Sequence, residues 1–176
     1  MAKTLTLNLQ RDLIIEAVKA ETFDTGRITK AGDPVKDAPL GMSQQAGGEQ
    51  HQERQLLRSL KTAVAKFEAQ MGEFLDAAAG SISNTLSLEQ SPFTIVMVVN
   101  DRYNDGMVNP MSDLCESFLI NTMLFSWWNA RNQQFSQQYA VNALDDIQHL
   151  RLCLAKVAPA ASSFDYTDVT GTVTQN

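Results

Sequence analysis

Residues 109–128 read NPMSDLCESFLINTMLFSWW, and residues 133–157 read QQFSQQYAVNALDDIQHLRLCLAKV. The first stretch opens as a helix should. Asn109 suits the cap, and Pro110 suits the first helical position, where a missing N–H costs nothing. Asp113 and Glu116 follow in or just past the first turn, where the helix dipole favours negative charge. Leu114, Cys115, Phe118, Leu119, Ile120, Met123, Leu124, Phe125, Trp127 and Trp128 then make the helix apolar on most sides. Such a helix must be buried nearly all round. After Arg131-Asn132 a second helix is predicted to about Lys156, with a stripe of Phe135, Tyr139, Ala143, Leu144, Ile147, Leu150, Leu154 and Val157. Together they predict an antiparallel helical hairpin as the heart of the domain.

Moving outward, residues Gln52 to Ala79 predict a long helix that ends at Gly80. Leu56, Leu60, Ala63, Val64, Phe67, Met71, Phe74, Leu75 and Ala78 repeat at three- and four-residue steps, and the helix would be about 40 Å long at 1.5 Å per residue. Ser81 to Gln90 is polar and loop-like. Phe93 to Val99, rich in β-branched residues, predicts a central strand, and Asn104-Asp105-Gly106 a turn. At the N-terminus Leu5, Leu7 and Leu9 alternate with Thr4, Thr6 and Asn8, the pattern of a half-buried strand. A short helix with a stripe of Leu13, Ile14, Ala17 and Val18 should follow, to about Thr22. Residues 26–48 hold glycines, Pro34 and Pro39 without periodicity, and predict a long arm. Pro159 ends the last helix. The tail beyond it, with Phe164, Tyr166 and Val169, is strand-like in its residues. It would pair with the N-terminal or central strand, or extend onto a neighbouring chain.

The predicted fold is mainly α with a few strands, an α+β arrangement. It has a helical hairpin core, one long helix, extended arms, and a small sheet from the N-terminal, central and C-terminal strands. Residues 1–158 would form one domain, and 159–176 an extended tail. A chain of 176 residues suits one domain with a real core.

Composition narrows the function. Net charge is −6, and the clustering of Arg54, Arg58 and Lys61 is diluted by Glu49 and Glu53. No basic patch for gripping phosphates is visible, so sequence-specific nucleic-acid binding is not expected. The charged fraction is 19%, below the roughly 25% of ordinary soluble domains, which leaves a surface less repelled from a partner. No apolar stretch is long enough to span a bilayer, and no signal-peptide apolar region opens the chain. Cys115 and Cys153 sit in apolar helical patterns and are expected to be reduced core thiols.

The residues offer no catalytic set. His51 and His149 have no second histidine or cysteine at metal-ligand spacing. The segment from Asp101 to Ser112 fails a calcium loop at its third and twelfth places, Tyr103 and Ser112. Gly41, Gly47 and Gly48 lack the Lys-Ser or Lys-Thr that completes a phosphate loop. Asp145 and Asp146 point about 100° apart on a helix and do not form an acid–base pair. The expectation is a non-enzymatic protein without cofactor or metal. Trp127-Trp128 is the unusual local feature: one indole should pack inside, and the other should face the hairpin's edge or a partner. Trp127, Trp128, Leu5, Leu7, Phe164, Tyr166 and Val169 are therefore the candidate interface residues.

Three blocks carry a resemblance. They are Lys3 to Asn8 running into Arg11 to Ile14, the apolar helix from Arg54 to Leu75, and Phe93 to Trp128 followed by Gln137 to Ala140 and Leu144 to Leu152. Their order resembles head-to-tail connector and neck-ring proteins of tailed phages infecting Bacteroidetes, of the crAss-like type. The resemblance covers about two thirds of the chain and leaves the 26–48 arm and the tail unexplained. It implies a structural virion protein, assembled in the bacterial cytoplasm. The protein would form a homo-oligomeric, twelve-fold ring in the neck, beside the portal and other neck or tail proteins, with DNA passing through its channel. The alternative is a prophage-encoded accessory module that docks a host or phage protein through the Trp127-Trp128 region.

Overall fold

The computed structural model describes residues 2–28, 50–76 and 92–155. Most of the expected 26–48 arm, Ala78, Val157, and the tail residues Phe164, Tyr166 and Val169 lie outside the described residues. So does the expected C-terminal strand. The elements run β1 (Ala2–Leu9), α1 (Arg11–Ile28), α2 (Gln50–Met71), β2 (Phe93–Asn100), a 3₁₀ turn (Asp105–Met107), α3 (Val108–Trp128) and α4 (Gln133–Ala155). The expected α+β class holds: among the described residues, four helices accompany a two-stranded antiparallel sheet.

The sheet follows from alternation. β1 pairs with β2 over eight residues, from Ala2 opposite Asn100 to Leu9 opposite Phe93, without a break in register. Leu5, Leu7 and Leu9 meet Phe93, Ile95, Met97 and Val99 on the buried face. Thr4, Thr6 and Asn8 face out, as a period of two requires.

α3 is the axis of the molecule. It packs against α4, α2, α1 and β1, which is what its nearly continuous apolar surface demands. Met111, Cys115, Phe118, Leu119, Met123 and Leu124 are all buried. α4 returns antiparallel along it. Asn132 caps α4 by accepting from the N–H groups of Gln134 (3.0 Å) and Phe135 (3.3 Å). Ser117 and the Asn121 amide, both on α3, each donate to one carboxylate oxygen of Asp146 on α4 at 2.8 Å. Asp146 is thus a clamp inside the hairpin. Both cysteines are buried free thiols, and burial pushes the Cys115 thiol well above its ordinary range.

Several boundaries differ from expectation. α1 continues through Gly26 to Ile28, so the arm cannot begin at residue 26. Leu13, expected in its stripe, is 53% exposed, while Ile14 and Val18 are buried. α2 stops at Met71 instead of Ala79. Gly72 follows, and the chain turns so that the Phe74 carbonyl accepts from Val98 N–H (2.7 Å) and Asp76 N–H donates to Val96 (3.0 Å). Phe74 and Leu75 are therefore pinned to the far edge of β2 and do not extend the helix. α3 begins at Val108, with Met107 in the cap position and no side-chain cap bond, so Asn109 is not its cap. Asn104 does the capping expected of Asn109, one element earlier: its side chain accepts from Gly106 N–H at 3.0 Å and starts the 3₁₀ turn.

Candidate assembly surface

The described residues hold no group of three or more His, Cys, Asp or Glu side chains able to share a metal ion. No described helix is long and apolar enough to cross a membrane. The chemistry-bearing side chains are instead tied into the fold. Tyr139 donates to Glu21 Oε1 at 2.8 Å and joins α4 to α1. His149 lies 3.7 Å from Asp145 one turn earlier on the exposed side of α4. Tyr103 donates to the sulfur of buried Met111. Burial first, then the Cys153 thiol and Asp105, push the Tyr103 phenol up to about 12.

Both indoles are buried, which corrects the expectation that one of them faces outward. α3 has neighbours on several sides, so residues 100° apart on it can each find a core. Trp128 is fully enclosed and meets Phe135 edge-on, ring centroids 5.4 Å apart. Trp127 turns toward α2, beside Gln55, Ser59 and Thr62. Arg131 roofs it, with the guanidinium carbon 3.9 Å from the ring centroid and an N–H donated to the Trp127 carbonyl at 2.7 Å. Burial lowers the Arg131 pKa. Leu5 and Leu7 are likewise corrected: their side chains belong to the buried face of the sheet. Four of the seven candidate interface residues are thus core, and the other three are not described.

Among the described residues, Leu13 and Phe23 on α1 are exposed, and an outward apolar line lies on α4. Val141, Leu144 and Leu152 are 64%, 56% and 60% exposed. At 100° per residue they fall within an arc of about 80°, and at 1.5 Å per residue they span about 16 Å of the helix. Single exposed leucines are ordinary; an aligned set on one helix face is the kind of feature that marks contact surfaces. Leu144 was expected in the core stripe. The core is instead taken by Tyr139, Ala143, Ile147, Leu150 and Leu154, and Leu144 sits one residue off that line. Here it borders a groove of about 150 Å³ between α2, α3 and α4, floored by Phe118, Thr122 and Phe125. Lys66 Nζ stands 5.1 Å above the Phe125 ring at its rim. A charged stripe would have been visible in the sequence at once. This second apolar line was not, because it is interleaved with the first.

A larger depression of about 350 Å³ between α1 and α2 is lined by both signs of charge. Arg11 pairs with Asp12 (2.8 Å) and Lys19 with Glu53 (3.8 Å), so its charges are largely answered from within.

No protein-family model, curated protein or solved structure matches the chain at a significant level.

Proposed function

We propose that this chain is a non-enzymatic structural subunit that works by assembling with other protein chains, and that the assembly is a ring in the neck of a tailed phage, next to the portal. The observation that carries the assembly is the exposed line of Val141, Leu144 and Leu152 on α4. Burying such side chains is worth on the order of 1 kcal/mol each, which in a lone chain goes unused. The indoles and the N-terminal strand, which suggested assembly in the sequence, lend it no support, because the fold consumes them. The ring and its place in the neck rest on the sequence resemblance. A ring of identical subunits needs a head-to-tail contact, in which the α4 face of one subunit meets a different face of the next. The net charge of −6 suits a channel past which DNA slides without being held by its phosphates. Imaging of the purified protein, alone and mixed with the portal of the same phage, tests the proposal. Closed rings in either sample support it. A monomer in both, or a tight and salt-sensitive DNA complex, would overturn it.

A further inference from the structure

β2 is covered on both sides. β1 lies along one edge for eight residues. On the other edge Phe74 and Asp76 bond to Val98 and Val96. β1 is different: among the described residues, no strand lies along its outer edge. That edge is regular, with no bulge and no proline along Ala2–Leu9. Its one charged side chain, Lys3, is engaged by the Asp105 carboxylate. Proteins normally blunt a long straight edge with a bulge, a proline, free charges or a cover, since it is a ready template for another strand. None of the first three is present here.

The chain carries a matching segment. Residues 164–174 read FDYTDVTGTVT, dense in the aromatic and β-branched residues that favour strands. Their threonines suit the outward Thr4 and Thr6 of β1 as cross-strand neighbours. The point of departure fits as well. α4 ends at Ala155, two residues beyond Cys153. Arg151, two residues before Cys153, donates to the Gln70 carbonyl at 2.7 Å, and the chain from Gln70 reaches Val98 of β2 through Phe74. Tyr103 N–H bonds to Asn100, which pairs with Ala2. The tail therefore leaves α4 near the end of the sheet where β1 starts. Residues 156–163 can span up to about 27 Å when extended, enough to reach the edge from there. Laid out from that end, the segment runs parallel to β1.

We infer that the outer edge of β1 is the docking site for residues 164–173 of the same chain, which add a third strand to the sheet. The inference is independent of the ring: it concerns one chain and one edge. Hydrogen exchange on the full chain and on a chain stopped after Ala158 tests it, followed through the 2–9 segment at several protein concentrations. In the full chain the amides of β1 should exchange slowly and independently of concentration. Truncation should speed the edge-facing half of them at least tenfold while those bonded to β2 stay protected. If the truncated chain fails to fold, Val169→Pro in the full chain should give the same selective loss, because proline cannot donate to a ladder. Equal exchange with and without the tail, or with Val169→Pro, overturns the inference. Protection that disappears on dilution overturns it too, and assigns the strand to a second copy.

Discussion

Trp128 offers the sharpest test of the packing. It is fully buried, stacks edge-on with Phe135 and holds its Nε1–H in the interior without an acceptor among the described residues. Trp128→Ala removes the whole ring system, and a cavity of this kind costs about 3–5 kcal/mol in general. Part of that is returned, since an unsatisfied buried N–H carries a penalty of about 1–3 kcal/mol that vanishes with it. A net loss of about 3 kcal/mol is expected. With a urea slope of about 2 kcal/mol/M, the unfolding midpoint should fall by about 1.5 M. Trp128→Phe separates the two contributions. It keeps a ring against Phe135 and deletes the orphan donor, so it should cost less than about 1.5 kcal/mol. Far-UV circular dichroism during urea titration reads both. A Trp128→Ala loss below about 1 kcal/mol, or a Phe variant as damaged as the Ala variant, would refute the placement of this indole.

Asp146→Ala should destabilise the hairpin by about 1–2 kcal/mol, because Ser117 and Asn121 lose their shared acceptor. Asp145→Ala, one residue away and exposed, should be close to neutral in the same denaturation assay. Glu116 has its pKa raised, first by burial and then by Asp113. The folded state then holds its proton to higher pH than the unfolded state, so stability falls as pH rises from the unfolded carboxyl range through the folded value. Glu116→Gln should therefore stabilise the protein at neutral pH and lose that advantage below about pH 4, read as thermal melts across pH. A thiol reagent such as Ellman's should find Cys115 and Cys153 unreactive in the native protein and release two equivalents after unfolding, since both are buried and free.

Much of the fold is legible in the sequence because strong periodicity leaves few choices. The alternation of Leu5, Leu7 and Leu9 sets β1 and its buried face. The all-round apolarity of α3 demands neighbours on several sides, and it has them. The boundaries were less legible. Phe74 and Leu75 continue the helical period of α2, yet tertiary bonding to β2 claims them. Pro110 and Asn109 read as a helix start, yet the 3₁₀ turn capped by Asn104 brings the helix in two residues sooner. The interface residues were the least legible. A tryptophan pair reads as contact surface only if the helix that bears it has an open side, and α3 has none at Trp127 or Trp128. Conversely, Leu144 reads as core until Ala143 and Ile147 are seen to take the inward line.

Sedimentation of the wild type beside a Leu144→Asp/Leu152→Asp variant, each alone and mixed with the portal, tests most directly whether the outward line of α4 is a contact surface. Both positions are exposed, so the variant should fold and melt like the wild type. The prediction is a wild type that sediments as an assembly, and a variant that sediments as a monomer of about 19.4 kDa with an unchanged melt. Identical sedimentation of the two proteins, both alone and mixed with the portal, would contradict it.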